Sequence, residues 1–175
     1  VVAVLATAWV AGAIDATAAC VAFLWFMTVH VWTLDRDAPR GRRALEAGMV
    51  LVTAAALMVH WMPGFVNPRV IGPVRFTPDA VPFSLYVNFD KTLIALALLG
   101  LAHARVASAR EWRGVAAEVA KIAPLTIAVV LAGSFVLGYV RWSPKLPAEA
   151  PLWLAVNLLF TCTAEEALFC GFVQG

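Results

Sequence analysis

The chain has 175 residues, of which 62% are hydrophobic and only 14% charged, with a formal net charge of +2 and a mean hydropathy of +0.84. Soluble domains carry about 25% charged residues, and a fold of this size leaves too much surface exposed to hide so many apolar side chains from water. An ordinary water-soluble domain is therefore excluded, and the solvent for most of the chain is the lipid bilayer. Neither a basic stripe nor an acidic tail is present, so nothing points to nucleic acid as a partner.

In chain order, the sequence begins at Val1 inside an apolar run and stops on Gln174 and Gly175. It reads as one membrane-embedded domain over residues 1–175, cut at both ends. Residues 1–34 hold a single charge, Asp15. One helix through that run would be roughly 50 Å long, well beyond the ~30 Å hydrocarbon core. Two spans are expected instead: one ending near Gly12, and one from Ala16 to Leu34 with Asp15 as its N-cap.

A short charged loop follows at 35–43, then a span from Ala44 to Met62. The connector from Pro63 to Lys91 has prolines at 63, 68, 73, 78 and 82. That density forbids a regular helix, and the segment is expected to drape over a membrane face. A fourth span is expected from Phe89 to Ala104, with Asn88 and Asp90 capping it. A basic loop covers 105–114, and a fifth span covers 115–140 with Pro124 as a kink and a Glu118–Lys121 pair at i, i+3. After a loop at 141–150, Pro151 opens the last span. The fold class expected is therefore all-α, a polytopic membrane bundle with about six spans.

Lysine and arginine counts orient the bundle. Loops 35–43 and 105–114 hold seven in 19 residues, whereas 63–91 and 141–150 hold five in 39. The first pair is expected on the cytoplasmic side. Trp32, Trp61, Trp112, Trp142 and Trp153 flank spans as interfacial anchors do. Cys20, Cys162 and Cys170 fit neither a zinc site nor a disulfide framework, and are expected as small buried hydrophobes.

The informative stretch is TAEEALFCG, Thr163 to Gly171, where Glu165 and Glu166 lie side by side in an apolar run. An acidic residue at a membrane-helix centre costs about 2.5–3.5 kcal/mol. Burial and like charge both raise a carboxylate pKa, and a carboxylate poised near neutrality is a good base for taking a proton from water. Neighbours in a helix point about 100° apart, so one glutamate can face a cavity while the other meets a helix. Glu165 is the fifteenth residue from Pro151, roughly 21 Å along the helix axis, which puts the pair in the cytoplasmic half of the bilayer. The arrangement suits hydrolysis within the membrane, and equally proton relay or cation binding. A pair near the headgroups would do neither.

These residues carry a resemblance. EEALFCG is similar to the first motif of the CPBP family (CAAX protease and bacteriocin-processing), which is two glutamates, three residues and an arginine, often spelled EExxFRG. Glu165, Glu166, Phe169 and Gly171 match in register. The connector ending in LYVNFDKTLIAL, Leu85 to Leu96, also resembles bacterial members ahead of a membrane span. The resemblance implies a bundle of about eight helices in a bacterial inner membrane and a peptide or protein substrate. It implies that Glu165 acts as base on a water with Glu166 in support. Histidines from two later motifs, FxxxH and HxxxN or HxxxD, would complete the site. Whether a divalent metal such as zinc takes part is left open by the resemblance.

Two departures bear on the implied activity. The arginine position is Cys170, and a neutral thiol cannot offset the Glu166 charge or fix its rotamer as a guanidinium fork does. No histidine follows Glu166, so the piece alone is expected to be inactive. The FxxxH spelling at Phe26 to His30 precedes the glutamates and reads as chance, and His60 and His103 read as half-wet imidazoles at membrane ends. Asn157, two turns before Glu165, reads as an interhelical hydrogen-bond contact. Three functions stay open: an intramembrane peptidase, a non-catalytic scaffold or immunity protein of the same fold, and a transporter using the pair as a proton or cation site.

Overall fold

Ser108 and Glu111 show how local chemistry sets the helix ends in this chain. In a computed structural model, Ser108 Oγ accepts from the Glu111 N–H at 3.2 Å and the Glu111 carboxylate accepts from the Ala107 N–H at 3.0 Å. This reciprocal cap starts a helix six residues ahead of the expected apolar boundary. The structure describes residues 2–103 and 106–174, so Ala104 and Arg105 of the expected span and loop lie outside the described residues.

The elements in chain order are α1 (Val2–Val10), α2 (Ala16–Leu34), α3 (Arg40–Met58), β1 (Arg69–Val74), β2 (Phe83–Tyr86), α4 (Phe89–Ala97, continued by one widened turn Leu98–Ala102), α5 (Ala109–Val136) and α6 (Ala150–Val173). The protein is mostly helical. Among the described residues three helices, α2, α5 and α6, are long and apolar enough to cross a membrane. The chain divides into two compact units, Val1–His103 with Ala148–Gly175, and Ala104–Pro147.

Helix α2 has the expected bounds, and Asp15 caps it by accepting from the Ala18 N–H at 2.9 Å. Helix α3 is shifted from Ala44–Met62 to Arg40–Met58. Pro39 enters it at φ −52, already set for a helix. Its polar first turns are braced by Arg42, which pairs with Asp35 and donates to Glu46 Oε1 at 2.9 Å. Glu46 is buried, and its Oε2 makes no hydrogen bond to the described residues. The far end stops early because His60 adopts a left-handed φ of 59.

Up to Asn88 the connector contains no helix, as its prolines require, but it is not simply draped. It forms an irregular antiparallel hairpin, with Arg69 opposite Tyr86 and Val74 opposite Phe83, which amends the all-helical expectation. An isolated two-stranded hairpin is marginal. Here Ile71 and Leu85 bury their side chains with Val156 of α6.

The core of this unit joins four helices. Trp25 and Val29 from α2, Val50 and Leu57 from α3, Leu93, Ile94 and Leu98 from α4 with its widened turn, and Ala164 and Leu168 from α6 form one cluster. Trp25 is fully buried, and its indole N–H donates to the Leu93 carbonyl at 2.8 Å, which satisfies the one polar atom that burial would otherwise strand. In the second unit, α5 buries none of its side chains, carries Pro124 in its interior, and holds the expected Lys121–Glu118 pair at 2.7 Å.

The cysteine expectation is corrected. Cys20, Cys162 and Cys170 are all free and exposed at the protein surface. A surface that meets lipid places no penalty on a thiol, so an apolar residue type there is no sign of burial in protein.

Candidate functional site

Two stretches of α6 depart from regular helix, Asn157–Cys162 and Ala167–Val173, and both are wound with i→i+5 turns. Between them lies a single regular turn, Thr163–Glu166, which carries the glutamate pair. Widened turns free or redirect carbonyls and recur at functional sites. Here Thr163 Oγ1 donates back to the Leu158 carbonyl, five residues earlier.

The packed face of this turn is set by Ala164 with Ala167 and Leu168, all buried, against α4. The 100° step between neighbours then separates the two carboxylates. Glu165 is half-buried at the edge of the packed face, and Glu166 is exposed on the open face. Glu165 makes no hydrogen bond or ion pair with the described residues. Cys170 lies one turn beyond Glu166 and is exposed with it, and a thiol is only a weak S–H donor.

His103 explains the motif glycine. Its ring lies on α6, with Nε2 3.3 Å from the Ala167 carbonyl oxygen. A Cβ on residue 171 would sit 2.3 Å from that same nitrogen, so only glycine lets the imidazole approach. His103, half-buried as expected, is thus also a helix-packing contact beside the pair. His30 is exposed and stands apart from the site.

A second polar cluster was not expected from the sequence. Asp90, expected as a cap of the fourth span, is 1% exposed. Its Oδ2 accepts from His60 Nδ1 at 2.6 Å and from Asn67 Nδ2 at 3.2 Å, and its Oδ1 accepts from the Lys91 N–H at 2.9 Å. Asn67 Oδ1 in turn accepts from the Phe89 N–H at 3.0 Å, doing the capping work assigned to Asn88, which makes no side-chain cap. The signal available in the sequence was a carboxylate and a histidine at the two ends of a proline-rich connector. Asn157 is also reassigned, since its Nδ2 donates to the Trp153 carbonyl of its own helix at 2.9 Å and not across to a neighbour.

Among the described residues no three His, Cys, Asp or Glu side chains come together as metal ligands. The residues around Glu165 therefore do not form a metal site by themselves, and no step below passes through a metal. The chain matches no protein-family model, no curated protein and no solved structure.

Proposed function

We propose that the protein is an intramembrane endopeptidase of the CPBP type, a multi-pass protein of a bacterial inner membrane. In this reading the helices form a bundle of about six spans within a fold of about eight, and the substrate is a peptide bond presented near the cytoplasmic face. The observation that carries it is the state of Glu165: a carboxylate at the edge of a packed membrane helix, in the one regular turn between two widened ones, with no partner among the described residues. A carboxylate kept for stability would be hydrogen-bonded, because an unpaired acid in an apolar setting is expensive. A base must instead keep a lone pair available for the proton it removes.

The chemistry follows from that lone pair. As the oxygen of a water attacks the carbonyl carbon, Glu165 takes the proton that leaves the water, then returns it to the departing amine. Glu166 faces the other way and stabilises the arrangement through whatever donor meets it.

Cys170 favours a second reading, a non-catalytic protein of the same fold. A thiol offers Glu166 one weak hydrogen bond in place of two strong ones. The experiment that separates the readings uses full-length protein in phospholipid vesicles with a fluorescence-quenched library of hydrophobic peptides. Cleavage that disappears in Glu165→Gln supports the peptidase. Cleavage that persists in Glu165→Gln removes the base assignment, and an inert wild type favours the scaffold.

A further inference from the structure

Away from the glutamate pair, the His60–Asp90 contact forms one wall of a pocket of about 430 Å³. Its lining comes from four segments: His60 and Asn67 after α3, Ser84 on β2, Asn88 and Lys91 at the start of α4, and Asn157 with Thr161 on α6. Two features set it apart from a surface crevice. His60 holds a left-handed backbone at φ 59, and among the described residues no other non-glycine residue does so. That conformation costs on the order of 1 kcal/mol, and it brings Nδ1 onto a carboxylate that is 1% exposed.

The charge in the pocket is one-sided. Lys91 is the one charged residue in the lining, and both oxygens of Asp90 are engaged by His60, Asn67 and the Lys91 N–H. The Lys91 ammonium has no ion pair among the described residues. His60 has Nδ1 committed to Asp90, which leaves Nε2 as the ring's available nitrogen. Ser84, Asn88 and Thr161 add neutral donors, and Asn157 keeps Oδ1 as an acceptor because its Nδ2 is bound to Trp153. One cation, several donors and one acceptor match a phosphate ester, which has several acceptor oxygens and can carry a neighbouring hydroxyl.

We propose that this pocket binds a phosphate-bearing group, with Lys91 as its cation and Ser84, Asn88 and Thr161 as its hydrogen-bond donors. The group belongs either to a phospholipid headgroup or to free inorganic phosphate. This inference does not depend on the peptidase reading, and its test uses binding and not cleavage.

The full chain is purified in maltoside micelles free of phospholipid. Inorganic phosphate is titrated and followed by calorimetry, with chloride as the reference anion. In parallel, mixed micelles carry either phosphatidylglycerol or diacylglycerol with the same acyl chains, and retained lipid is counted by native mass spectrometry. Wild-type protein is expected to bind phosphate, or to hold phosphatidylglycerol over diacylglycerol, or both. The first result assigns free phosphate and the second a headgroup. Lys91→Gln should weaken the positive arm by about tenfold, the size of one hydrogen-bonded charge. Lys91→Arg should retain it, and circular dichroism of both variants separates lost binding from lost fold. Two silent arms in the wild type, equal retention of diacylglycerol, or unchanged binding by folded Lys91→Gln would each overturn the proposal.

Discussion

Asp90 and Glu165 are both carboxylates on largely apolar helices of the same unit, yet they are treated in opposite ways. Asp90 is 1% exposed, and its two oxygens accept from His60, Asn67 and the Lys91 N–H. Glu165 is half-buried, and no described residue pairs with it. Burial and hydrogen bonding go together for a group that holds a structure in place. Accessibility without a partner is what a group needs if it is to exchange protons with something that comes and goes. The pair teaches that an acid in a membrane helix is not functional by depth alone. What distinguishes the two is whether the protein has already used the lone pairs.

The comparison breaks most decisively at Glu165. On the proposed peptidase reading Glu165→Gln keeps the shape and removes the base, so cleavage by the full-length protein should fall by about 10³-fold, equivalent to ~4 kcal/mol of barrier. Its midpoint in chemical denaturation should stay where it is, because no hydrogen bond is lost. A variant that lost stability along with activity would place Glu165 with Asp90 on the structural side.

The reverse pattern is expected at His60. His60→Ala leaves a buried carboxylate short of its principal donor, while Asn67 and the Lys91 N–H remain. Breaking a buried pair from one side costs about 3–5 kcal/mol. Because the His60 side chain is 41% exposed, the lower end, about 3 kcal/mol, is expected. Adding Asp90→Leu should recover part of that loss, since the carboxylate left without its donor is then gone. Denaturation in detergent micelles measures both, and peptide cleavage should be indifferent to either.

These two sites also show which features are legible in a sequence. Glu165 and Glu166 stood out because they are adjacent, and adjacency in the chain guarantees a fixed geometry on a helix. Helix α2 was readable to the residue because its start is a local event, Asp15 three residues before the N–H it caps. The His60–Asp90 pair spans thirty residues of chain, and the hairpin between them follows from pairing and packing that no local pattern encodes. The cysteines misled for a different reason: in lipid an exposed apolar face and a buried one have the same composition. The start of α5 was placed six residues late because hydropathy marks where a helix becomes apolar, whereas the Ser108 cap marks where it becomes a helix.

Gly171 sharpens the contrast from the packing side. It lies in the same motif as the glutamates, yet its contact is with His103, whose ring a Cβ would meet at 2.3 Å. The ring can move, because it is the far end of a side chain, so Gly171→Ala should cost about 1–2 kcal/mol, as overpacking does. His103→Ala in the same protein should return most of that amount, and the cycle gives the coupling between the two positions. A cycle without coupling would mean that the glycine serves the backbone of the widened turn and not the histidine.

The smallest effect expected is at Asp15, a third carboxylate that belongs wholly to the structural class. It is exposed, and its Oδ1 accepts from the Ala18 N–H at 2.9 Å. Its own N–H donates to the Gly64 carbonyl at 3.0 Å, so the cap also fastens the connector to α2. Gly64 can approach only because it has no side chain: at φ +86, a Cβ there would lie 2.1 Å from Asp15 Oδ1. Asp15→Ala should cost about 1 kcal/mol, the usual value of an N-cap, and Asp15→Asn should cost almost nothing, since an amide oxygen caps as well as a carboxylate. An equal loss in both would show that the negative charge at the helix N-terminus, and not the hydrogen bond, holds this end of α2.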